Sequence, residues 1–240
     1  MKAVRVPRFG GPEVLELASL PDPVPGPGEL LLDVRAAALN WSDLLQRDGT
    51  YPGGPQPPFL AGQEAAGIVV AHGPGVTGPQ PGARVAAITG RGLHASRAVV
   101  PAATCFPIPS SLSFEEGAAL LVSLLTAGWA LARLGRAAAG ETAIIHAAGG
   151  GLGTTAVQVA KQLGLNVVAT ASTEDRRARA AALGADVDAG GWPVAHRCRS
   201  PREPRLAFVG ARFARTFASP YIRGIARDAA YVARRIARDR

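Results

Sequence analysis

A glycine-rich segment carries the clearest chemical signal in this sequence. The run IIHAAGGGLGT (144–154) follows an apolar stretch and precedes a helical pattern. In the G-x-G-x-x-G frame, Gly150 lets the backbone approach a pyrophosphate, and Gly153 lets the helix pack closely on the strand. Free N–H groups and the dipole at the helix N-terminus then hold the phosphates, so the segment predicts a dinucleotide site. A loop without a ligand is the alternative. The predicted contacts are Ala148 (at the first glycine position), Gly149, Gly150, Gly151, Leu152 and Gly153.

The end of the next predicted strand distinguishes between the nicotinamide cofactors. An acid about 20 residues past the loop would bind the ribose 2′-OH of NAD. Here small and hydroxyl residues occupy 170–173, and the first acid is Glu174. Ser172 with Arg176 or Arg177 would instead accept a 2′-phosphate, which favours NADPH. The alternative is that both arginines are solvated charges on a helix.

Strands and helices alternate around this loop. Apolar runs at 142–147 and 166–171 are typical of buried strands, and helices are predicted through Leu163 and over 174–183. This order predicts the first half of a doubly wound parallel sheet. No further strand is predicted after Ala185.

The first 110 residues have a different pattern. Short β-rich runs lie between clusters of Gly and Pro, which indicates a β domain with many turns. One short helix is predicted at 42–47, with Asn40 or Ser42 as its N-cap and Gly49 at its end. The predicted strands are 30–36, 67–71, 83–88 and 98–100. Two further helices are predicted, one opened by a Ser113–Glu116 capping box and one over 124–133.

Composition and charge exclude several protein classes. With 48% hydrophobic and 18% charged residues among 240, the chain has enough apolar material for a core. The most apolar run, 117–132, is shorter than a membrane span, and the first residues lack a signal-peptide pattern. Two cysteines cannot build a disulfide framework or a four-cysteine zinc site. A soluble cytoplasmic protein is the expectation.

Together these segments resemble the zinc-free quinone oxidoreductase branch of the medium-chain dehydrogenase/reductase superfamily, in family order over 1–186. The resemblance implies an α/β protein with a GroES-like β domain at 1–110 and an incomplete Rossmann domain, a doubly wound parallel sheet, at 111–186. The matching segments are MKAVRVPRFGGPEVLEL (1–17), PGPGELLLDVRAAALNWSD (25–43), AGQEAAGIVVAHGPGV (61–76), PGARVA (81–86), SFEEGAAL (113–120), LTAGWAL (125–131) and HAAGGGLGTTAVQVAKQLG (146–164).

The resemblance also implies a site without metal. In zinc-dependent relatives the catalytic ligands would fall at Asn40, Gln63 and Val122, none of which is a thiolate, an imidazole or a carboxylate. The residues that the resemblance places around nicotinamide and substrate are Asn40, Asp43, Tyr51, Gln63 and Thr126.

The chemistry implied by the resemblance is hydride transfer from NADPH to a quinone or similar conjugated carbonyl. A polar, uncharged site suffices, because the reduced oxygens can take protons from water or hydroxyls. An enoyl or other alkene reductase, or another zinc-free alcohol dehydrogenase-like member, is the alternative. Each residue also has a structural alternative: Asn40 caps a helix, Asp43 complements its first turn, Tyr51 is a loop aromatic, and Thr126 bonds a helix carbonyl.

Residues 187–240 match nothing in the family. The first 189 residues carry a net charge of −1, whereas the last 51 carry +9, with arginine as the only basic residue there. One explanation is a truncated or out-of-frame gene product, which predicts a non-catalytic fragment that lacks the family's dimer edge. A divergent tail that docks through an amphipathic stripe at 221–238 is the second. A basic arm for nucleic acid or anionic membrane is the third, and the absence of lysine argues against it.

Overall fold

The computed structural model describes residues 1–188. The chain divides into two compact units, Met1–Val122 and a second that begins at Ser123. The described strands are β1 (Lys2–Val6), β2 (Glu16–Ser19), β3 (Glu29–Ala38), β4 (Phe59–Leu60), β5 (Glu64–His72), β6 (Arg84–Ile88), β7 (Arg97–Pro101), β8 (Cys105–Pro107), β9 (Thr142–His146), β10 (Asn166–Thr170) and β11 (Asp186–Asp188). The α-helices are α1 (Trp41–Asp48), α2 (Phe114–Ala118), α3 (Leu121–Gly128), α4 (Gly151–Gln162) and α5 (Glu174–Ala182).

Antiparallel sheets build the first unit. Five strands pair in the order β7-β3-β5-β6-β8, and three pair in the order β2-β1-β4. Alternate residues of β3 face the core, where Leu30 and Leu32 are fully buried against Val69, Val85 and Val100. The four strands predicted in this region are present, each within three residues of its predicted ends.

Helix α1 begins directly after β3. Its N-cap is Asn40, in extended backbone, and not the alternative Ser42. Asp43 Oδ2 accepts a hydrogen bond from the Asn40 backbone N–H at 2.7 Å. Gly49 ends the helix in the left-handed region, with φ at 84°, as the sequence predicts.

Parallel strands build the second unit. They pair in the order β11-β10-β9, with α4 between β9 and β10 and α5 between β10 and β11 along the chain. The side chains of Ile145, Val157 and Val167 form its core. The prediction of no strand after Ala185 is wrong, because Asp186–Asp188 pairs parallel to β10. A three-residue strand with two acids has no apolar periodicity, so it forms through pairing and not through pattern.

The helical run that follows the first unit's strands also differs from the prediction. The capping box is confirmed, since Ser113 N–H donates to Glu116 Oε2 at 2.8 Å and Glu116 N–H donates to Ser113 Oγ at 3.1 Å. The predicted helix over 124–133 instead begins at Leu121 and becomes π-helical over Trp129–Leu134. Each π-helical turn holds an extra residue, and such an insertion leaves no signal in a 3.6-residue periodicity.

No helix within residues 1–188 has the length and apolar character needed to cross a membrane. The predicted domain boundaries near 110 and 186 stay predictions. The predicted tail, with its stripe at 221–238, lies outside the described residues, apart from the backbone of residues 187 and 188.

Candidate functional site

The loop between β9 and α4 is fixed to the end of β10. Ala148 is fully buried, and its N–H donates to the Thr170 carbonyl at 3.0 Å. Ala147 adopts a left-handed backbone with φ at 54°, and its carbonyl accepts from Gly150 N–H at 3.0 Å. This tight turn delivers the chain into the first turn of α4.

Two glycines of the loop allow close packing of helices, and two others leave one side of the turn open. A Cβ on Gly153 would lie 2.3 Å from the Ala147 carbonyl oxygen, and one on Gly149 would lie 2.3 Å from Arg176 Cβ. Gly153 therefore allows α4 to approach the loop, and Gly149 allows α5 to do so. A Cβ on Gly150 would meet only the Ala147 oxygen, at 3.4 Å, and one on Gly151 would meet open space.

The N-terminus of α4 fits a phosphate group. Its N-cap residue is Gly150. Because glycine has no side chain, it cannot accept a hydrogen bond from the first backbone N–H groups of the helix as a capping side chain would. Residues 151–153 supply these N–H groups, and an oxyanion is the ligand that such donors favour. The predicted cofactor contacts Ala148 to Gly153 are thus one continuous turn.

The structure distinguishes the two arginines that follow β10. Arg177 pairs with Glu174 at 2.6 Å and donates to the Ala171 carbonyl at 3.2 Å. Arg176 is exposed, packs its stem against Gly149, and reaches Ser172 Oγ at 3.4 Å. Ser172, Arg176 and the glycine loop therefore lie together, while the Arg177 guanidinium is engaged by its own helix and the residues before it.

His146, the last residue of β9, had no predicted role. Its Nδ1 lies 2.9 Å from Thr170 Oγ1, which joins the ends of two neighbouring parallel strands. Burial lowers the pKa of His146, so the neutral imidazole is favoured.

In the first unit, the side chains of the predicted residues Asn40 and Gln63 are each held by a hydrogen bond, Asn40 by Glu64, for which no role was predicted, and Gln63 by Ser42. Glu64, only 1% exposed, accepts from Asn40 Nδ2 at 2.9 Å through Oε1. Its Oε2 accepts from Val122 N–H at 2.8 Å. Ser42 Oγ donates a hydrogen bond to Gln63 Oε1. An acid at the start of an apolar strand is the signal that could have identified Glu64, because such a buried charge needs partners.

Asp43 lies inside the first unit. Its side chain is 7% exposed, Oδ2 bonds the Asn40 N–H, and Oδ1 has no hydrogen-bond partner among residues 1–188. Burial raises the pKa of Asp43, while the bond to Asn40 and the nearby His94 oppose this shift. This geometry is that of a helix cap, and a catalytic role for Asp43 stays a prediction.

The two remaining candidates are half-buried. Tyr51 follows α1, where its N–H donates to the Leu45 carbonyl at 2.9 Å. Thr126 lies in α3 on the second unit. Their predicted roles at the substrate stay predictions.

The part of the chain that the structure covers contains no cluster of three or more His, Cys, Asp or Glu side chains able to hold a metal ion. Cys105 is buried, and burial raises the pKa of its thiol to about 12. This thiol therefore stays protonated and unreactive at neutral pH.

Comparisons with known proteins agree with this arrangement. Residues 26–110 match the family described as alcohol dehydrogenase GroES-like domain. The chain is 39% identical over 173 residues to the human synaptic vesicle membrane protein VAT-1 homolog, covering 71% of this chain and 44% of that protein. It is 40% identical over 177 residues to rat quinone oxidoreductase, covering 73% of this chain and 54% of the relative.

Among solved structures, the chain is similar to the quinone oxidoreductase of Thermus thermophilus, which has also been solved in complex with NADPH. The TM-score is 0.70 at 44% identity, covering 78% of this chain and 59% of that one. The chain thus spans about half the length of the curated relatives that it matches. These likenesses confirm the resemblance to the quinone oxidoreductase-like branch of the medium-chain dehydrogenase/reductase superfamily.

Proposed function

We propose that this chain binds NADPH and reduces a quinone or similar conjugated carbonyl without zinc. The observation that carries the proposal is the turn over 147–153. There, Gly149 and Gly153 are required for packing, and the side of the turn at Gly150 and Gly151 stays open. The complex of the Thermus relative with NADPH supports the choice of cofactor.

The residues present fit this cofactor. The N–H groups of 151–153 would hold the pyrophosphate, and Arg176 with Ser172 would hold the 2′-phosphate. Arg176 is the better candidate of the two arginines, because the Arg177 guanidinium already pairs with Glu174. The absence of an acid over 170–173 avoids repulsion of that phosphate.

The chain's own residues would bind and orient the substrate. Bound NADPH supplies a hydride to an electron-poor carbonyl system. The carboxamide of Asn40, held by Glu64, would hydrogen-bond the reacting partner, and so would that of Gln63, held by Ser42. Protons for the reduced oxygens would come from water or hydroxyl groups, so no acidic side chain is required.

The same residues support zinc independence. Asn40, Gln63 and Val122 offer two amides and a hydrocarbon, which are poor ligands for Zn²⁺. The neighbouring carboxylate of Glu64 already accepts a hydrogen bond on each of its two oxygens.

The test is a titration of the full chain with NADPH and NADH, read by tryptophan fluorescence, followed by NADPH oxidation with a quinone and with an enone. We expect saturable binding that favours NADPH. Arg176→Ala should weaken NADPH binding about tenfold and leave NADH binding unchanged, since one charge-assisted contact is lost. Arg177→Ala is the matched control and should change NADPH binding less.

Each outcome distinguishes the candidates. Faster oxidation with the enone than with the quinone would favour the alkene reductase. Absence of binding by either nucleotide would leave a non-catalytic fragment and reject the proposal. The homodimer expected from the resemblance and the cytoplasmic location are also proposals, and light scattering of the purified chain tests the first.

A further inference from the structure

Glu64 is a buried carboxylate to which the proposed reaction gives no direct task. It is the first residue of β5, and only 1% of its surface is exposed. A carboxylate in such a place is strongly unfavourable unless hydrogen bonds compensate for the lost water. Its partners therefore indicate what it does.

Both carboxylate oxygens accept from neutral N–H donors. Asn40 Nδ2 lies 2.9 Å from Oε1, and the backbone nitrogen of Val122 lies 2.8 Å from Oε2. Among the described residues, no Lys, Arg or His forms an ion pair with Glu64. Glu64 thus joins the N-cap of α1 to the first turn of α3.

This contact decides how the Asn40 carboxamide is oriented. A free carboxamide can turn by half a rotation and exchange its oxygen for its nitrogen. A carboxylate oxygen accepts hydrogen bonds, and Asn40 directs the donor Nδ2 toward Glu64 Oε1. The Asn40 main chain is held as well, because its N–H donates to Asp43 Oδ2 at 2.7 Å.

We propose that Glu64 is a positioning residue that fixes the Asn40 carboxamide in its binding orientation. This rests on the proposed function, in which Asn40 hydrogen-bonds the reacting partner. Because Glu64 itself is almost inaccessible, it acts through Asn40 and not on a ligand.

Two substitutions test the contact. Glu64→Leu removes both acceptors and keeps a similar volume, so we expect kcat for quinone reduction to fall about tenfold. Glu64→Gln keeps one acceptor oxygen, so kcat should fall less than in Glu64→Leu. Glu64→Gln also tests the contact if Glu64→Leu fails to fold. Glu116→Gln makes the same change at an exposed residue and should leave kcat unchanged.

A double-mutant cycle separates positioning from a general loss of stability. If Glu64 acts through Asn40, Glu64→Leu lowers kcat in the native background and has no effect in the Asn40→Ala background. Equal losses in both backgrounds would overturn the proposal.

A second readout does not depend on activity. In the full chain, the Asn40 side-chain amide protons should exchange slowly with solvent by NMR, and Glu64→Leu should accelerate this exchange. Exchange that is the same in both proteins would also overturn the proposal. If the native chain reduces no quinone, the proposed function fails, while the NMR comparison still decides the role of Glu64.

Discussion

At the scale of single residues, buried polar side chains differ in how completely their hydrogen bonds are satisfied. Asp43, Gln46 and Glu64 are the buried polar residues in the described core. Within that core, Glu64 has a hydrogen bond on each oxygen, whereas Asp43 Oδ1 and Gln46 Oε1 have none. Sequence patterns cannot separate these cases, because all three residues lie within or beside apolar stretches and differ only in their tertiary partners.

Asp43 should make stability depend on pH. Burial raises the pKa of Asp43 in the folded state, so its stabilising contribution is present below the unfolded pKa and is lost as pH rises through the folded pKa. Asp43→Asn keeps an acceptor for the Asn40 N–H and removes the charge. We expect the free energy of unfolding of Asp43→Asn, relative to that of the native chain, to rise as pH increases.

Urea unfolding measured from acid to neutral pH checks this expectation. The nearby His94 favours the charged form of Asp43 and so lowers its pKa. In a His94→Gln background, the difference in free energy of unfolding between Asp43→Asn and its parent should therefore change more with pH. A difference that stays constant over this pH range would contradict the assignment of Asp43 as a buried acid with a raised pKa.

At the scale of elements, the sequence predicts what periodicity and caps encode. The strand–loop–helix–strand order around the glycine loop and the capping box of α2 follow from local chemistry, whereas the choice of Asn40 over Ser42 as N-cap of α1 needed the structure. The π-helical turn and β11 do not, because the first adds a residue without a change of pattern and the second depends on pairing with β10. The preference for Arg176 over Arg177 also needed the structure, since both arginines are equivalent in sequence.

The two kinds of glycine in the loop should respond differently to the same substitution. Gly153→Ala would place its methyl group 2.3 Å from the Ala147 carbonyl oxygen. We therefore expect its free energy of unfolding to fall by about 1–3 kcal/mol. Gly150→Ala meets only a contact at 3.4 Å. Its cost at a helix cap should stay below about 1 kcal/mol.

Gly150→Ala, the variant with the smaller loss of stability, should show the clear loss of NADPH affinity. A methyl group at Gly150 would stand between the backbone and the pyrophosphate, so we expect NADPH affinity to fall about tenfold in the variant that folds well. Thermal unfolding and nucleotide titration of both variants check this pair of expectations. Unchanged NADPH affinity in Gly150→Ala would mean that the open side of the turn does not face the cofactor.

At the scale of the whole molecule, charge is distributed unevenly along the chain, and the chain spans about half the length of its curated relatives. Its net charge of −1 over the first 189 residues is unremarkable for an enzyme, and the excess of +9 lies beyond them. The matched segment covers 54% of rat quinone oxidoreductase. If the chain binds a nucleotide in its folded state, that binding must stabilise the folded state against unfolding.

Unfolding measured with and without NADPH tests this coupling. A ligand that binds only the folded state at about 100 times its Kd raises the free energy of unfolding by about 2.7 kcal/mol. Trp129 lies in the second unit with the glycine loop, so a variant that keeps Trp129 as its sole tryptophan (Trp41→Phe, Trp192→Phe) reports on that unit. We expect its unfolding midpoint to rise with NADPH, and to rise less with NADH because Arg176 then has no 2′-phosphate to bind. If saturating NADPH leaves the midpoint where it is without ligand, the turn over 147–153 is only a structural element, and the chain does not use it to bind a cofactor.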